Sequence, residues 1–514
     1  MFGLKSMKQL NFYGREAELK RLHEIWSTQG AELVFVRGRR RIGKSELLRE
    51  LTKEHSGAGG RAFRFSGRVD ESDALCRERF AKAWVEFTKN PYLGKLRRDA
   101  LTWDILLGEL ENEAAKPHSS KLPLLVAFDE IQWLAKKHSG ILGCIKEFWE
   151  RVQKKINIKL LLSGSSNRFF AAEVDHAEGV LRGLRTKGDL WVHPFTLDEV
   201  SRYYFPEWNA EQIAFLYMMF GGVPYYLDRF DVRKPFLRSI NDAAFTDESI
   251  FLDEVDAILK VESTGEGALL NVKRVLGSLG QEGKTAAGIE KETGIASAHV
   301  HQILNRLESY GIIKELVPFG EKKRNKAGVR YHMDDFFLNT YFQILEPMSA
   351  KIRDNTRQGM PLNDLISSDK GYYIPNFTGK AFELLLTNIL IAGATNTSHR
   401  KALLFSKLNL GSSSFQVGTF WTPNQTQIDM VVSCSDDRQV RILEAKWKGS
   451  AVGLSEGEGF IQALESKAYP LPSDSWSKKL FLVLSGGATE TCEKKARDRG
   501  VSIITLDDLF AQPV

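Results

Sequence analysis

The stretch LVFVRGRRRIGKSELLREL, residues 33–51, constrains this chain more than any other. Four apolar residues predict a buried strand, a loop of glycines and arginines follows, and leucines at 47, 48 and 51 predict a helix. Gly38 to Ser45 spell G-x-x-x-x-G-K-S in full, in the strand–loop–helix context that the pattern requires. The glycines Gly38 and Gly43 let backbone N–H groups approach phosphates, with the main chain of Arg41 and Ile42 between them. Lys44 supplies a point charge for the β- and γ-phosphates, and the Ser45 hydroxyl a ligand for Mg²⁺. The side chains of Arg39, Arg40 and Arg41 read as a solvated loop surface.

Downstream, LPLLVAFDEIQWL is an apolar strand that ends in two carboxylates, Asp129 and Glu130. Behind a phosphate loop they have separate tasks. Asp129 holds Mg²⁺ through water, and Glu130 orients the attacking water. A third strand, IKLLLSGSSN, ends in small polar groups, so Ser163, Ser165 or Asn167 could sense the γ-phosphate. A plain strand-to-loop turn explains them equally well. Strands alternating with amphipathic helices over residues 12–170 predict a parallel sheet covered on both faces.

Composition narrows the setting. A length of 514 residues suggests about three or four domains. The net charge of +6 permits a nucleic-acid partner without requiring one. The four cysteines are far apart and make no C-x-x-C pair, which argues against a zinc cluster or a disulfide framework. There is no secretory leader pattern and no apolar run of about 18 residues, so the expected address is the cytoplasm, with no membrane partner.

The series FYGREAELKRL, GRRRIGKSELL, LLVAFDEIQWL, LLSGSS, LRGLRT, HPFTLDEV and FGGVPYYL, in that order over residues 12–345, resembles the archaeal-type ATPases, a branch of the AAA+-related P-loop ATPases. The resemblance implies a RecA-like P-loop sheet followed by a helical lid, ATP with Mg²⁺ as cofactors, and assembly into homo-oligomers. It places Gly14, Arg15 and Glu16 near the adenine. Arg182 or Arg185 would be an arginine finger in trans, or else a partner in a surface ion pair.

Residues 271–335 predict a winged helix-turn-helix. Val300, Ile303, Leu304 and Leu307 give one helix an apolar face. Its other face carries His299, Gln302, Asn305 and Arg306, which suit base edges or phosphates. Two strands bracket the wing tip GEKKRNKAG, and six basic residues stand against two acidic ones from Lys314 to Arg330. DNA is the expected partner; a protein partner through the winged helix is the alternative.

The C-terminal part carries a different signal. Asp429 lies in one strand, and Glu444-Ala445-Lys446 lie in the next, joined by the turn SDDR. Alternation puts Glu444 and Lys446 on one face. Two carboxylates and an amine converging on one edge can bind Mg²⁺ or Mn²⁺ and act on a phosphodiester. The pattern resembles the PD-(D/E)XK nuclease superfamily over residues 371–514, a restriction-endonuclease-like α/β domain. The resemblance adds Glu383, on the helix GKAFELLL, as a further acidic group at the metal. Ile428 precedes Asp429, where many members have proline. Gln462 is offered by the helix that follows, but Ser466 stands where some subfamilies have tyrosine.

The expected order is therefore an α/β multidomain chain. It has a P-loop ATPase domain (1–190), a helical lid (191–262), a winged helix (263–345), a linker (346–370) and a nuclease-like domain (371–514). The expected function is an ATP-hydrolysing DNA-processing protein whose ATPase and winged helix control a metal-dependent nuclease. The catalytic residues would be Glu130, Asp429, Glu444 and Lys446. Ser45 and Asp129 would serve the nucleotide's metal, and Glu383, Asp429 and Glu444 the other. The alternatives are an ATP-dependent regulatory switch and a replication-initiator-like DNA-binding ATPase, each with a non-catalytic nuclease fold.

Overall fold

The computed structural model describes residues 12–116, 122–135, 140–184, 189–262, 266–316, 319, 329–354, 361–366, 372–395, 399–421, 427–468 and 476–510. Two compact units divide the chain, Met1–Pro194 and Phe195–Val514.

The first unit is built on five parallel strands: β1 (Glu32–Arg37), β2 (Arg61–Ser66), β3 (Leu124–Asp129), β4 (Ile158–Gly164) and β5 (Asp189–Trp191). Their spatial order is β2-β3-β4-β1-β5. All residues of β1, β3 and β4 are buried, as expected of parallel strands covered on both faces. Helices Asp73–Thr88, Trp103–Ala114 and Ile141–Val152 cover one face with an aromatic-rich core around Phe63, Phe80, Trp84, Trp103 and Phe128. Phe63 and Trp84 meet edge to face, with ring centres 4.8 Å apart.

The second unit has three parts. Helices Ala210–Phe220, Pro224–Leu227, Phe236–Ala244 and Phe251–Glu262 gather Phe220, Tyr226, Phe230 and Phe251 into one aromatic cluster. The glycines of FGGVP have a steric reason. A Cβ at Gly222 would lie inside the backbone of Phe195. The two residues instead share a hydrogen bond from Phe195 N to Gly222 O at 2.8 Å.

Residues 266–333 then run helix (Glu266–Ser278), β6 (Lys284–Thr285), helix (Ala286–Thr293), helix (Ser297–Ser309), β7 (Ile313–Leu316) and β8 (Arg330–Met333). The three strands form an antiparallel sheet in the order β6-β8-β7. Val300, Ile303, Leu304 and Leu307 are buried, while His301, Gln302 and Asn305 are exposed. The tip between β7 and β8, with Lys322, Lys323, Arg324 and Lys326, lies outside the described residues.

The segment expected as a linker is more ordered than its polar composition suggests. A helix covers Glu346–Asp354 and a 3₁₀ turn covers Pro361–Asp364, and Ile352 and Leu362 are buried. Two apolar anchors suffice to dock a segment whose other residues stay polar.

The last part is a mixed sheet of β9 (Phe415–Trp421), β10 (Gln427–Cys434), β11 (Gln439–Lys446), β12 (Ser477–Leu484) and β13 (Val501–Thr505), in the order β13-β12-β11-β10-β9. β9, β10 and β11 pair antiparallel, while β11, β12 and β13 pair parallel. The helix Thr378–Thr395 precedes this sheet, and Leu454–Ala468 and Glu490–Asp498 follow its strands. Among the described residues no helix is long and apolar enough to cross a membrane.

Candidate functional sites

The first site lies where β1 meets the helix Lys44–Gly57. The loop between them has two residues in left-handed backbone, Arg41 (φ 67°) and Gly43 (φ 95°). Such turns point successive N–H groups into one concavity, and the helix N-terminus adds its own donors. Gly38 has no room for a side chain, because a Cβ there would sit 2.5 Å from Val192 O. Arg15 fixes the loop from outside. Its guanidinium donates to Ile42 O (2.9 Å) and to His193 O (2.7 Å), and pairs with Glu18 (3.0 Å). This backbone cradle fits a triphosphate.

Lys44 is almost fully buried, and its ammonium donates to Gly38 O (2.8 Å) and Arg39 O (2.9 Å). Burial pulls its pKa down to about 8, against the opposing pull of the Glu130 and Asp129 carboxylates. Asp129 closes β3, 3% exposed, and accepts the Glu130 amide at 3.1 Å. The hydroxyl of Ser45 and this carboxylate are the hard oxygen donors that Mg²⁺ requires. Glu130 turns the chain in left-handed backbone, φ 51°. Its carboxylate accepts from Ser165 Oγ at 2.8 Å and from Gln132 Nε2, which also donates to Ser165 Oγ at 3.0 Å. Of the three polar groups offered by the third strand, Ser165 therefore reaches Glu130. Ser163 is buried, its hydroxyl unpartnered among the described residues. Arg182 is exposed, and Arg185 lies outside the described residues.

The second site is on β10 and β11. Met430 faces Leu443, so Asp429 and Glu444 follow side by side in the antiparallel register. Asp429 is 6% exposed and Glu444 2%. Asp429 Oδ2 accepts the Ala445 amide at 2.9 Å. Glu444 Oε1 takes two ammonium groups, Lys446 Nζ at 2.8 Å and Lys467 Nζ at 2.5 Å. Glu444 Oε2 is buried with no hydrogen-bond partner among the described residues. A buried carboxylate oxygen without a donor is costly, and a cation bound there would satisfy it.

Burial and the charge of Glu444 raise the Asp429 pKa. Burial, then Asp429, pushes Glu383 up to about 8, although Lys380 lies 3.0 Å from it. Glu383 thus feels the pair electrostatically. Yet among the described residues no three His, Cys, Asp or Glu side chains are grouped as a metal cage. Asp429 and Glu444, with Glu383 at the margin, are the carboxylates that a hard cation would meet there.

Gln462 points away, exposed on its helix, and Lys467 occupies the site instead. The signal was available in the sequence: Lys467 lies three residues after buried Leu464, on the inward side of the helix. Lys380, Arg15 and Gln132 carried no comparable pattern.

The loop, the strand-end carboxylates and the parallel sheet define a P-loop ATPase. Residues 12–230 match the model of an ATPase domain found predominantly in Archaea, and residues 341–458 match that of archaeal and bacterial proteins of unknown function. Residues 12–230 thus carry an archaeal-type ATPase domain, and residues 341–458 carry the domain of a second family. An uncharacterized protein of Methanocaldococcus jannaschii is 24% identical over 438 residues, covering 85% of this chain and 88% of the relative. Among solved structures, a Walker-type ATPase of Pyrococcus abyssi superposes with a TM-score of 0.48 and 18% identity, covering 65% of this chain and 96% of that one. Drosophila ORC bound to DNA gives 0.31 and 12%, covering 66% and 96%.

Proposed function

We propose that the protein is an ATP-dependent DNA-processing enzyme in which ATP turnover controls a metal-dependent nuclease. ATP binds at Gly38–Ser45, and Glu130, released from Ser165 and Gln132, orients the attacking water. The block 266–333 is read as a winged helix, whose exposed face with His301, Gln302 and Asn305 meets DNA. The C-terminal mixed sheet is read as a PD-(D/E)XK nuclease.

One observation carries the nuclease reading: Asp429, Glu444 and Lys446 converge on neighbouring strands, and Glu444 Oε2 is buried without a donor. A divalent ion held there supplies Lewis acidity and lowers the pKa of a bound water. Asp429 and Glu444 hold the ion. Lys446 orients the attacking water and meets the charge that develops on the phosphodiester oxygens.

A second reading has support of its own. Lys446 and Lys467 both pair with Glu444, and Lys380 pairs with Glu383. Internal ion pairs of this kind also suit a switch with a non-catalytic nuclease fold. Incubation with plasmid and linear DNA, with ATP present or absent and Mg²⁺ or Mn²⁺ supplied, separates the two. Cleavage that stops in chelator, in Asp429→Ala and in Lys446→Ala establishes the nuclease. No cleavage by the parent in any condition, with ATPase activity intact, removes the nuclease reading and favours the switch.

A further inference from the structure

The block 266–333 shares a cavity with Asp429 and Glu383. Gln281 and Glu282 before β6, with Arg330 and His332 on β8, line one side, and Lys380, Glu383 and Asp429 line the other. Its volume is about 90 Å³. At about 10–15 Å³ for each water position, it holds only a handful of waters. Sites for nucleotide-sized ligands run to roughly 300–1,000 Å³. The cavity as described is too small to hold a nucleotide beside Asp429.

Helix Glu266–Ser278 is held by its neighbours, with Lys273 2.6 Å from Asp256, and among the described residues two contacts tie the block across to the mixed-sheet part. Lys380 lies between the two sides, 3.3 Å from Glu282 and 3.0 Å from Glu383. Beyond β7, Phe319 N donates to Thr419 O of the edge strand β9 at 2.7 Å. The Phe319 ring packs on the core of the mixed sheet beside Gly418, where a Cβ would meet the ring at 3.2 Å. The fastening is slight. The Glu282 side chain is 57% exposed, and partly exposed ion pairs hold weakly. Phe319 is one residue and one backbone hydrogen bond. Most of the residues that line the cavity have polar side chains, among them Gln281, Glu282, Arg330 and Lys380.

We propose that the block 266–333 is a movable cover over the Asp429–Glu444 site, latched by Glu282 through Lys380 and by Phe319 on β9, and that it must move before a phosphodiester reaches the carboxylates. This rests on the nuclease reading for what the cover guards. The exposed face of helix Ser297–Ser309 stays available while the cover is shut. DNA can therefore engage the block before the site opens. Opening breaks the Lys380–Glu282 pair and leaves Lys380 beside Glu383 on its own helix.

The test uses the full chain with Thr387→Cys, a residue lining the cavity. Three of the four native cysteines are buried, and their labelling is subtracted with the parent chain. A maleimide reagent reads access to the cavity. Glu282→Lys puts a positive charge against Lys380 at an exposed position and leaves the fold intact. It should speed labelling about fivefold or more, the scale of a weak ion pair turned repulsive. Phe319→Ala, with its thermal midpoint checked, should add to that effect. Equal labelling rates in the parent, Glu282→Lys and Phe319→Ala would overturn the cover, whatever DNA cleavage does. Faster labelling in the variants with no cleavage under any condition keeps the cover and removes the nuclease. Faster labelling with raised cleavage supports both.

Discussion

The buried lysine of the phosphate loop makes nucleotide affinity depend on pH in a calculable way. Lys44 has a pKa of about 8 without nucleotide, chiefly through burial. Phosphate anions beside the ammonium bring it back to the ordinary lysine range, near 10.4. Binding ATP above pH 8 must then take up a proton. At pH 9 about nine in ten apo molecules have a neutral Lys44, so the apparent Kd is about tenfold weaker than at pH 7, or ~1.4 kcal/mol. Titration calorimetry at pH 9 in two buffers of different ionisation enthalpy should report uptake of roughly 0.9 proton per ATP. Stability moves the other way. The folded pKa lies below the unfolded one, so the unfolded chain binds more protons between about pH 8 and 10.4, and folding stability rises with pH there by up to ~3 kcal/mol. A Kd unchanged from pH 7 to 9, with no proton uptake, would refute the argument. Lys44 would then be either ordinary in the apo protein or remote from the phosphates.

The other predictions concern turnover and folding. Glu130→Gln should leave ATP binding near the parental level and slow hydrolysis by about 10² or more, read in steady-state phosphate release; a parental rate would remove Glu130 from the reaction. Ser165→Ala should also change turnover with little effect on ATP affinity, because Ser165 Oγ touches Glu130 in the apo arrangement; a change in Kd alone would assign it to binding. Gly222→Ala should cost about 1–3 kcal/mol or more in urea unfolding, because its methyl group must displace the Phe195 backbone. An unchanged midpoint would show that the contact yields freely.

How much of this was legible in the sequence depended on distance along the chain. Gly38 to Ser45 and Asp129-Glu130 could be read directly because their geometry is local: a strand, a turn and a helix start fix it. Asp429 and Glu444 could be paired because a short hairpin sets their register. Arg15 was legible only as part of a motif. That it binds both Ile42 and His193 requires the fold, since 178 residues separate Arg15 from His193. Lys467 was overlooked in favour of Gln462, although helical spacing turns Lys467 inward and Gln462 outward. The segment 346–370 read as a linker because its few apolar residues, Ile352 and Leu362 among them, are too sparse to make a periodic pattern.

The clamped residues at the end of the first unit have a mechanical consequence. His193 is tied through its carbonyl to Arg15, and Arg15 to Ile42 in the phosphate loop. Phe195 is held within its own unit by its amide, which donates to Gly222 O at 2.8 Å, and by Tyr217, whose hydroxyl donates to Phe195 O at 2.8 Å. Pro194 alone stands between the two anchor points. Proline fixes its own φ, which removes one free torsion from the backbone there. The carbonyl of His193 is thus linked through Arg15 to the phosphate loop, and the amide of Phe195 to the FGGVP turn.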